Sequence, residues 1–152
     1  MGRLIRLRYL VTIALFCCGS LWAEGIEQSV VKIVNQYNSF NWYSPWDSGS
    51  TGKGTGSGFV ISKNRIMTNA HVVSDSAMLL VYFHNDPTPY PAKVSAIGHD
   101  CDLAVLELID PKRLEGIPPL GFNGLPEIRS QVFTCGYPAG GQRFSITAGV
   151  VS

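Results

Sequence analysis

Residues 56–68 indicate the fold class of this chain and read Gly56-Ser57-Gly58-Phe59-Val60-Ile61-Ser62-Lys63-Asn64-Arg65-Ile66-Met67-Thr68. Residues 58–61 and 66–68 are apolar runs joined by the polar residues 62–65, which predicts a β-hairpin. Further apolar runs follow, separated by segments that contain proline, glycine and aspartate. Short strands at this spacing predict a β-barrel or a β-sandwich, and the runs cover residues 78–83, 92–97 and 103–108.

The residues before the hairpin divide into one more apolar run and a loop. Residues 29–34 are apolar and β-branched, which predicts a strand or the end of a short helix. Residues 38–56 are rich in glycine, serine and asparagine, which predicts a loop with little regular structure. Aromatic side chains are costly to leave in water, so we expect four of them to pin part of this loop: Phe40, Trp42, Tyr43 and Trp46.

Two more strands are predicted after a long connection. Residues 109–128 contain proline and glycine but no convincing periodicity, so they predict a crossing connection. Residues 131–138 and 145–151 are strand-like runs around the turn 139–143. Two strands leave open edges and bury little apolar surface. The sequence therefore predicts only the beginning of a second β unit.

The N-terminus differs from the rest of the chain. A length of 152 residues with 45% apolar content is enough for one domain, or part of one, with a core. In residues 1–23, however, three arginines precede an apolar run, which predicts a secretory signal peptide and an exported protein, periplasmic or secreted. The run is shorter than the roughly 20 residues that span a membrane. We therefore predict no stable membrane insertion, with an uncleaved anchor as the alternative.

Charge and glycine spacing argue against several function classes. Removing residues 1–23 takes away three of the 12 basic residues and none of the 11 acidic ones, which leaves a net charge of −2 with neutral histidines. No strong attraction to nucleic acid is expected from this balance. The glycines of residues 52–58 lie outside any βαβ pattern, so they predict no dinucleotide loop. No cofactor is implied.

Two cysteines remain after the predicted signal peptide, Cys101 and Cys135. They could form a disulfide in an oxidising compartment. Both also lie beside or inside apolar strand-like runs, where a free cysteine packs well. The sequence leaves these two alternatives open.

Two residues could carry chemistry, His71 and Asp102. His71 follows the small Ala70 at the end of a strand-like run, where a turn could present its imidazole at a sheet edge. Asp102 stands directly before the run 103–108. Each alone is more often structural. Together they offer a base for a hydroxyl nucleophile and a carboxylate that orients this base.

No metal site is predicted. Successive residues on an extended strand point to opposite faces, so the acidic, thiol and imidazole groups of residues 99–102 could not converge with His71 on one ion without a special turn. His84 stands beside Asn85 and Asp86 in a proline-containing loop, which predicts a solvated surface residue.

The order of the motifs resembles the first barrel of trypsin-like serine proteases of the HtrA/Deg type. In that family a Gly-Ser-Gly-Phe strand leads through a hairpin to Thr-Asn-x-His-Val-Val, and the triad aspartate opens Asp-Leu-Ala-Val-Leu. This chain matches these motifs at residues 56–59, 68–73 and 102–106. The resemblance continues through Gly-Tyr-Pro at 136–138 and Thr-Ala-Gly-Val-Val-Ser at 147–152, and covers nearly all of residues 29–152.

The resemblance implies an all-β, trypsin-like double β-barrel whose first barrel is complete and whose second is only begun. The expected divisions are a signal peptide at 1–23, an N-terminal segment and flexible loop at 24–56, the first barrel at 57–118 and the start of the second at 119–152. It also implies a serine endopeptidase of protein quality control, with polypeptide substrates and, in a full-length form, homo-oligomers.

By the same resemblance, His71 is the general base and then the general acid, and Asp102 orients its imidazole. The family's Gly-Asn-Ser-Gly-Gly segment has no match in these residues. Ser57 is rejected as nucleophile because the G-x-S-x-G elbow needs glycines where Thr55 and Phe59 stand. We therefore expect a fragment that is inactive by itself. The alternative is a non-catalytic pseudoprotease barrel that binds extended peptides at an open sheet edge.

Overall fold

The computed structural model describes residues 25–39, 41, 43–46, 49–138 and 141–152. The predicted signal peptide, residues 1–23, lies outside the described residues. Within the described ranges, no helix has the length and apolar character needed to cross a membrane.

The regular structure consists of eight strands and three short helical segments in the described residues. The helical segments are α1 (Ile26–Ser29), α2 (Ala70–Val73) and a 3₁₀ turn (Pro111–Leu114). The strands are β1 (Val30–Ser39), β2 (Ser50–Ser62), β3 (Arg65–Thr68), β4 (Ser76–Tyr82), β5 (Tyr90–Gly98), β6 (Leu103–Leu108), β7 (Gln131–Gly136) and β8 (Ser145–Val150).

The first six strands close into an antiparallel barrel with the order β1-β2-β3-β6-β5-β4. Alternate side chains point inward, as the pleat of a strand requires: in β6, Ala104, Leu106 and Leu108 are buried while their neighbours are more exposed. Leu114 of the 3₁₀ turn joins the same core. The prediction of an all-β fold is confirmed, and so is the predicted hairpin between β2 and β3.

The barrel begins earlier in the chain than residue 57, which corrects the predicted division at 56/57. Strand β1 pairs with both β2 and β4, so the barrel cannot close without it. The predicted loop 38–56 is also partly wrong, because β2 begins at Ser50. Glycine is depleted in strands when it packs nothing, but here the missing side chain of Gly52 leaves the space that the Tyr37 ring occupies.

The aromatic residues were expected to pin the loop between β1 and β2, and two of them do not. Tyr43 and Trp46 are 95% and 82% exposed, whereas Phe40 and Trp42 lie outside the described residues. The reason is that the β1–β2 ladder continues to the pair Ser39–Ser50, beyond the pairing of β1 with β4. The loop is therefore carried past the edge of the core.

The second β unit is a two-stranded antiparallel sheet formed by β7 and β8. It follows the predicted crossing connection, which contains the 3₁₀ turn but no strand in its described residues. Its apolar side chains remain largely exposed, among them Phe133, Ile146 and Val150. A complete first barrel and a second that is only begun are thus confirmed.

His84 is not the solvated residue that the sequence predicts. Its side chain is 24% exposed, and its Nε2 lies 3.0 Å from Oε2 of Glu27 in α1. The ring also packs edge-on against Phe144, with centroids 5.7 Å apart. The loop after β4 therefore contacts both the N-terminal helix and the residue before β8, which a local pattern of polar residues cannot reveal.

Asp86 ties the loop after β4 to the 3₁₀ turn. Its carboxylate accepts hydrogen bonds from the backbone N–H of Thr88 at 3.0 Å, the hydroxyl of Tyr90 at 2.9 Å and the guanidinium of Arg113 at 3.1 Å. The guanidinium also stacks over the ring of Phe83, 4.2 Å from its centroid. The backbone N–H of Thr88, its hydroxyl, Tyr90 and Arg113 together hold the pKa of Asp86 well below its usual range.

We expect Asp86→Asn to lower the melting temperature at pH 7 by an amount that shrinks below about pH 4. The folded pKa of Asp86 is depressed, so its contribution is complete above the unfolded pKa and is lost as pH falls through the folded pKa. Thermal unfolding at pH 7 and below about pH 4 measures the difference in melting temperature between the wild type and the variant. Asp75→Asn is the control, because the Asp75 side chain is exposed. An Asp86→Asn difference that does not vary with pH would contradict the assignment.

Candidate active site

The short helix α2 presents His71 to solvent. Strand β3 ends at the buried Thr68, whose hydroxyl donates to the carbonyl oxygen of Ser57 at 2.9 Å. Ala70 and Val73 of α2 are buried and anchor the helix on the barrel. His71 lies between them and its side chain is 71% exposed. The predicted turn after β3 is therefore one helical turn, with the imidazole on its open side.

Two glycines of β2 let α2 and β3 approach closely. A Cβ at Gly56 would lie 2.6 Å from the methyl groups of Val72, and one at Gly58 would lie 2.8 Å from the carbonyl oxygen of Met67. Both distances are shorter than van der Waals contact allows. The motif around Ser57 therefore serves packing. The Ser57 hydroxyl accepts a hydrogen bond from the backbone N–H of Tyr137 at 2.8 Å, which joins the second sheet to the barrel.

Asp102 reaches His71 because β6 pairs with β3. The register sets Ala104 beside Thr68, so the residues just before β6 lie against those just after β3. Asp102 closes the turn from His99 with a backbone bond of 3.3 Å and has φ +52°, a left-handed conformation that aspartate adopts more readily than most residues.

The two side chains form a close pair. Nδ1 of His71 lies 2.7 Å from Oδ2 and 3.0 Å from Oδ1 of Asp102, and the backbone N–H of His71 donates to Oδ1 at 2.9 Å. Asn69 donates from Nδ2 to both the carbonyl oxygen and Oδ2 of Asp102, each at 3.2 Å. A carboxylate at Nδ1 favours the tautomer with the proton on that nitrogen. Nε2 then remains a proton acceptor.

Asp102 is held in its ionised form. The backbone N–H of His71, followed by its imidazole, lowers the pKa of Asp102, and partial desolvation opposes this effect. The side chain of Asp102 is 46% exposed, so the pair is open to water on one side. An ionised carboxylate at this position can stabilise an imidazolium without taking its proton.

The other candidate nucleophiles are not joined to the pair. In the described part of the chain, no serine hydroxyl or cysteine thiol hydrogen-bonds to the imidazole of His71. Cys101 and Cys135 are free rather than bridged. Burial raises the pKa of the Cys135 thiol, and the carboxylate of Glu27 adds to this effect. Within the same described ranges, no group of three acidic, histidine or cysteine residues is placed to hold a metal ion.

One member of the site was missed by the sequence analysis, namely Asn69. An asparagine directly before a short helix is a usual N-cap, so its type alone gives no reason to expect a contact across the barrel. The signal that could have indicated it is its position within the same Thr-Asn-x-His motif as His71.

Comparison with known proteins agrees with this fold. The family described as the trypsin-like peptidase domain matches residues 56–152. The chain is 44% identical to the putative protease Do-like 3, mitochondrial, of Arabidopsis thaliana over 82% of its own length and 22% of that protein. It is 40% identical to the putative protease Do-like 6, chloroplastic, of the same plant over 90% of its own length and 62% of that protein.

A solved structure gives the same result. The active form of the Rv3671c protease from M. tuberculosis superposes with a TM-score of 0.62 at 34% identity, over 84% of this chain and 49% of that one. Of the two Do-like relatives named above, this chain spans 22% and 62% of the length. With its closed barrel and matching motifs, the chain belongs to the trypsin-like peptidase family, and within it to the HtrA/Deg type.

Proposed function

We propose that this chain supplies the general base and the orienting carboxylate of a serine endopeptidase. The observation that carries the proposal is the 2.7 Å contact between Nδ1 of His71 and Oδ2 of Asp102. In this role Nε2 of His71 takes the proton of a serine hydroxyl as its oxygen attacks the peptide carbonyl carbon. The imidazolium then gives this proton to the leaving amine, and water repeats the cycle on the acyl-enzyme.

Asp102 acts in both half-reactions through the imidazole. Its ionised carboxylate holds the proton on Nδ1, which keeps Nε2 free to accept the serine proton. When His71 becomes an imidazolium, the negative charge next to it lowers the energy of that state. The low pKa of Asp102 supports this role, because a carboxyl group that took the proton would no longer stabilise the cation.

We also propose that residues 1–152 do not hydrolyse peptides by themselves. No serine in them stands in a Gly-Asn-Ser-Gly-Gly context, and the Ser57 hydroxyl is engaged with the backbone of Tyr137. Loss of the nucleophile from a triad lowers kcat by several orders of magnitude. The proposed activity therefore requires a serine and backbone oxyanion donors from a form of the protein that contains that segment.

A serine-directed fluorophosphonate tests both proposals. We expect no labelling of the purified 152-residue chain, and labelling that His71→Ala abolishes in a form that carries a Gly-x-Ser-Gly-Gly segment. His99→Ala is the matched control, because this histidine is exposed and lies in the turn before Asp102. Labelling of the 152-residue chain that depends on His71 would refute the absence of a nucleophile. Labelling of the longer form that survives His71→Ala would refute the role of His71.

The second candidate function is peptide binding without catalysis, and the β7–β8 sheet favours it. Only two strands pair in this sheet, so its edges offer unpaired backbone groups in the described residues. Its exposed Phe133 and Ile146 could accept apolar side chains of an added strand. Protection of β7 or β8 amides from hydrogen exchange by an unfolded polypeptide, with no fluorophosphonate labelling of any form, would favour this function over the peptidase.

For the cellular location, we propose export directed by residues 1–23. Their arginines and apolar run support a signal peptide, although the relatives named above are called mitochondrial and chloroplastic. Fusion of residues 1–23 to a reporter, followed by cell fractionation, distinguishes the three locations. Import of the reporter into either organelle would contradict export.

A further inference from the structure

Asn69 occupies a capping position without capping. It precedes α2 with φ −82° and ψ 147°, the backbone geometry of an N-cap, yet its side chain accepts no hydrogen bond from the helix. Asparagine is favoured at this position because its side-chain oxygen usually accepts a backbone N–H of the first turn. Here only the backbone closes the turn, with Val72 N–H donating to the Asn69 carbonyl at 3.2 Å.

The side chain of Asn69 is directed across to Asp102 instead. Its amide nitrogen lies 3.2 Å from the carbonyl oxygen and 3.2 Å from Oδ2 of Asp102. Both of these atoms are acceptors, so the group that faces them must be the –NH₂ donor. One amide thus holds the backbone and the carboxylate of the same residue.

Asp102 needs such a hold for two reasons. Its backbone is left-handed, with φ +52°, which costs an L-residue energy even when it is an aspartate. Its side chain is also 46% exposed, so water can compete for the carboxylate. The hydrogen bonds from His71 go to the carboxylate. Among the described residues, Asn69 is the side chain that binds both parts.

We propose that Asn69 is a positioning residue that fixes the turn and the carboxylate of Asp102 together, so that Oδ2 stays on Nδ1 of His71. This inference rests on the proposed function of the pair. With Oδ2 held, the proton remains on Nδ1 and Nε2 remains the acceptor. Without the amide, the carboxylate can rotate toward water, and the orientation of the imidazole is lost with it.

The substitution Asn69→Asp separates this role from capping. Aspartate is as good an N-cap as asparagine, so a residue that only capped α2 would tolerate the change. A carboxylate at position 69 would instead face Oδ2 of Asp102 and repel it. In ¹H–¹⁵N spectra of the 152-residue chain, we expect the Nδ1–H of His71 to exchange with water at least about tenfold faster in this variant. The reason is the loss of its charge-assisted hydrogen bond to Oδ2 of Asp102.

Two further variants complete the experiment. Asn69→Ser keeps a capping oxygen but is too short to hold Asp102, so it should also accelerate the exchange, and it replaces Asn69→Asp if that variant does not fold. Asn123→Asp makes the same chemical change at an exposed residue of the crossing connection and should leave the exchange unaltered. Wild-type exchange in a folded Asn69→Asp or Asn69→Ser variant would overturn the inference.

Failure of this inference differs from failure of the proposed function. The exchange measurement needs no nucleophile, so it reports on the pair even in a chain without peptidase activity. Unchanged exchange in the Asn69 variants, together with His71-dependent fluorophosphonate labelling of the form that carries a Gly-x-Ser-Gly-Gly segment, would overturn the role of Asn69 alone. Faster exchange in the Asn69 variants, together with labelling of that form that survives His71→Ala, would overturn the peptidase role. Asn69 would then be the residue that holds a non-catalytic pair.

Discussion

Asp102→Asn is expected to lower the peptidase kcat by about 10⁴-fold in a form of this protein that carries a Gly-x-Ser-Gly-Gly segment. In the wild type, the N–H at Nδ1 of His71 donates a hydrogen bond to Oδ2 of Asp102. An asparagine amide at this site can instead donate to Nδ1. The proton would then move to Nε2, the atom that must accept it from serine. We expect little change in KM. Hydrolysis of a fluorogenic peptide measures both kcat and KM.

The control for this prediction is Asp100→Asn. Asp100 is exposed and lies two residues before Asp102, so the variant makes the same change of charge without touching the imidazole. The kcat of Asp100→Asn should stay within about twofold of the wild-type value, because water screens the effect of an exposed charge on the imidazole of His71. An Asp102→Asn enzyme that keeps more than a tenth of the wild-type kcat, or an equal loss in Asp100→Asn, would contradict the role of Asp102.

Gly58→Ala is expected to reduce the free energy of unfolding by about 2 to 3 kcal/mol. Its Cβ would lie 2.8 Å from the backbone carbonyl oxygen of Met67 and 2.8 Å from Cδ1 of Ile33, which is fully buried. A backbone oxygen in a strand ladder cannot move without disturbing its hydrogen bonds, so β2 and β3 would have to separate. Urea denaturation of the 152-residue chain measures the effect.

Gly54→Ala in the same strand is the matched control. A Cβ at position 54 would meet its nearest atom, in the ring of Tyr37, at 3.8 Å, which is ordinary contact. Because alanine restricts the unfolded chain more than glycine does, this variant should be neutral or more stable by up to about 1 kcal/mol. Equal destabilisation by both substitutions would show that a general glycine preference, rather than the contact with Met67, is responsible.

The glycines of β2 show where local sequence reasoning fails. Residues 50–56 have the composition of a loop, and the prediction followed their propensities. The structure places them in a strand because β1 pairs along their whole length and because Tyr37 and Val72 occupy the space that side chains would need. A requirement of this kind comes from residues distant in the sequence, so no window around the glycines contains it.

The candidate site was predictable in its parts but not in its geometry. His71 and Asp102 could be named from the residues around them and from the order of the motifs. The contact of Asn69 could not, because it depends on Asp102 in another element. Outside the site, the contact of His84 with Glu27 escaped prediction for the same reason. Polar residues in loops look alike in sequence whether they contact water or each other.

Alternating apolar side chains are a local property, so the sequence was sufficient to predict the all-β class and most of the strands, and the order of its short motifs was sufficient to name His71 and Asp102 as candidates. The tertiary structure decided that β1 closes the barrel, that β3 lies beside β6, and that Nδ1 of His71 therefore meets Oδ2 of Asp102 at 2.7 Å. Strand register is set by packing across the whole barrel, and only the closed barrel brings residues 71 and 102 together.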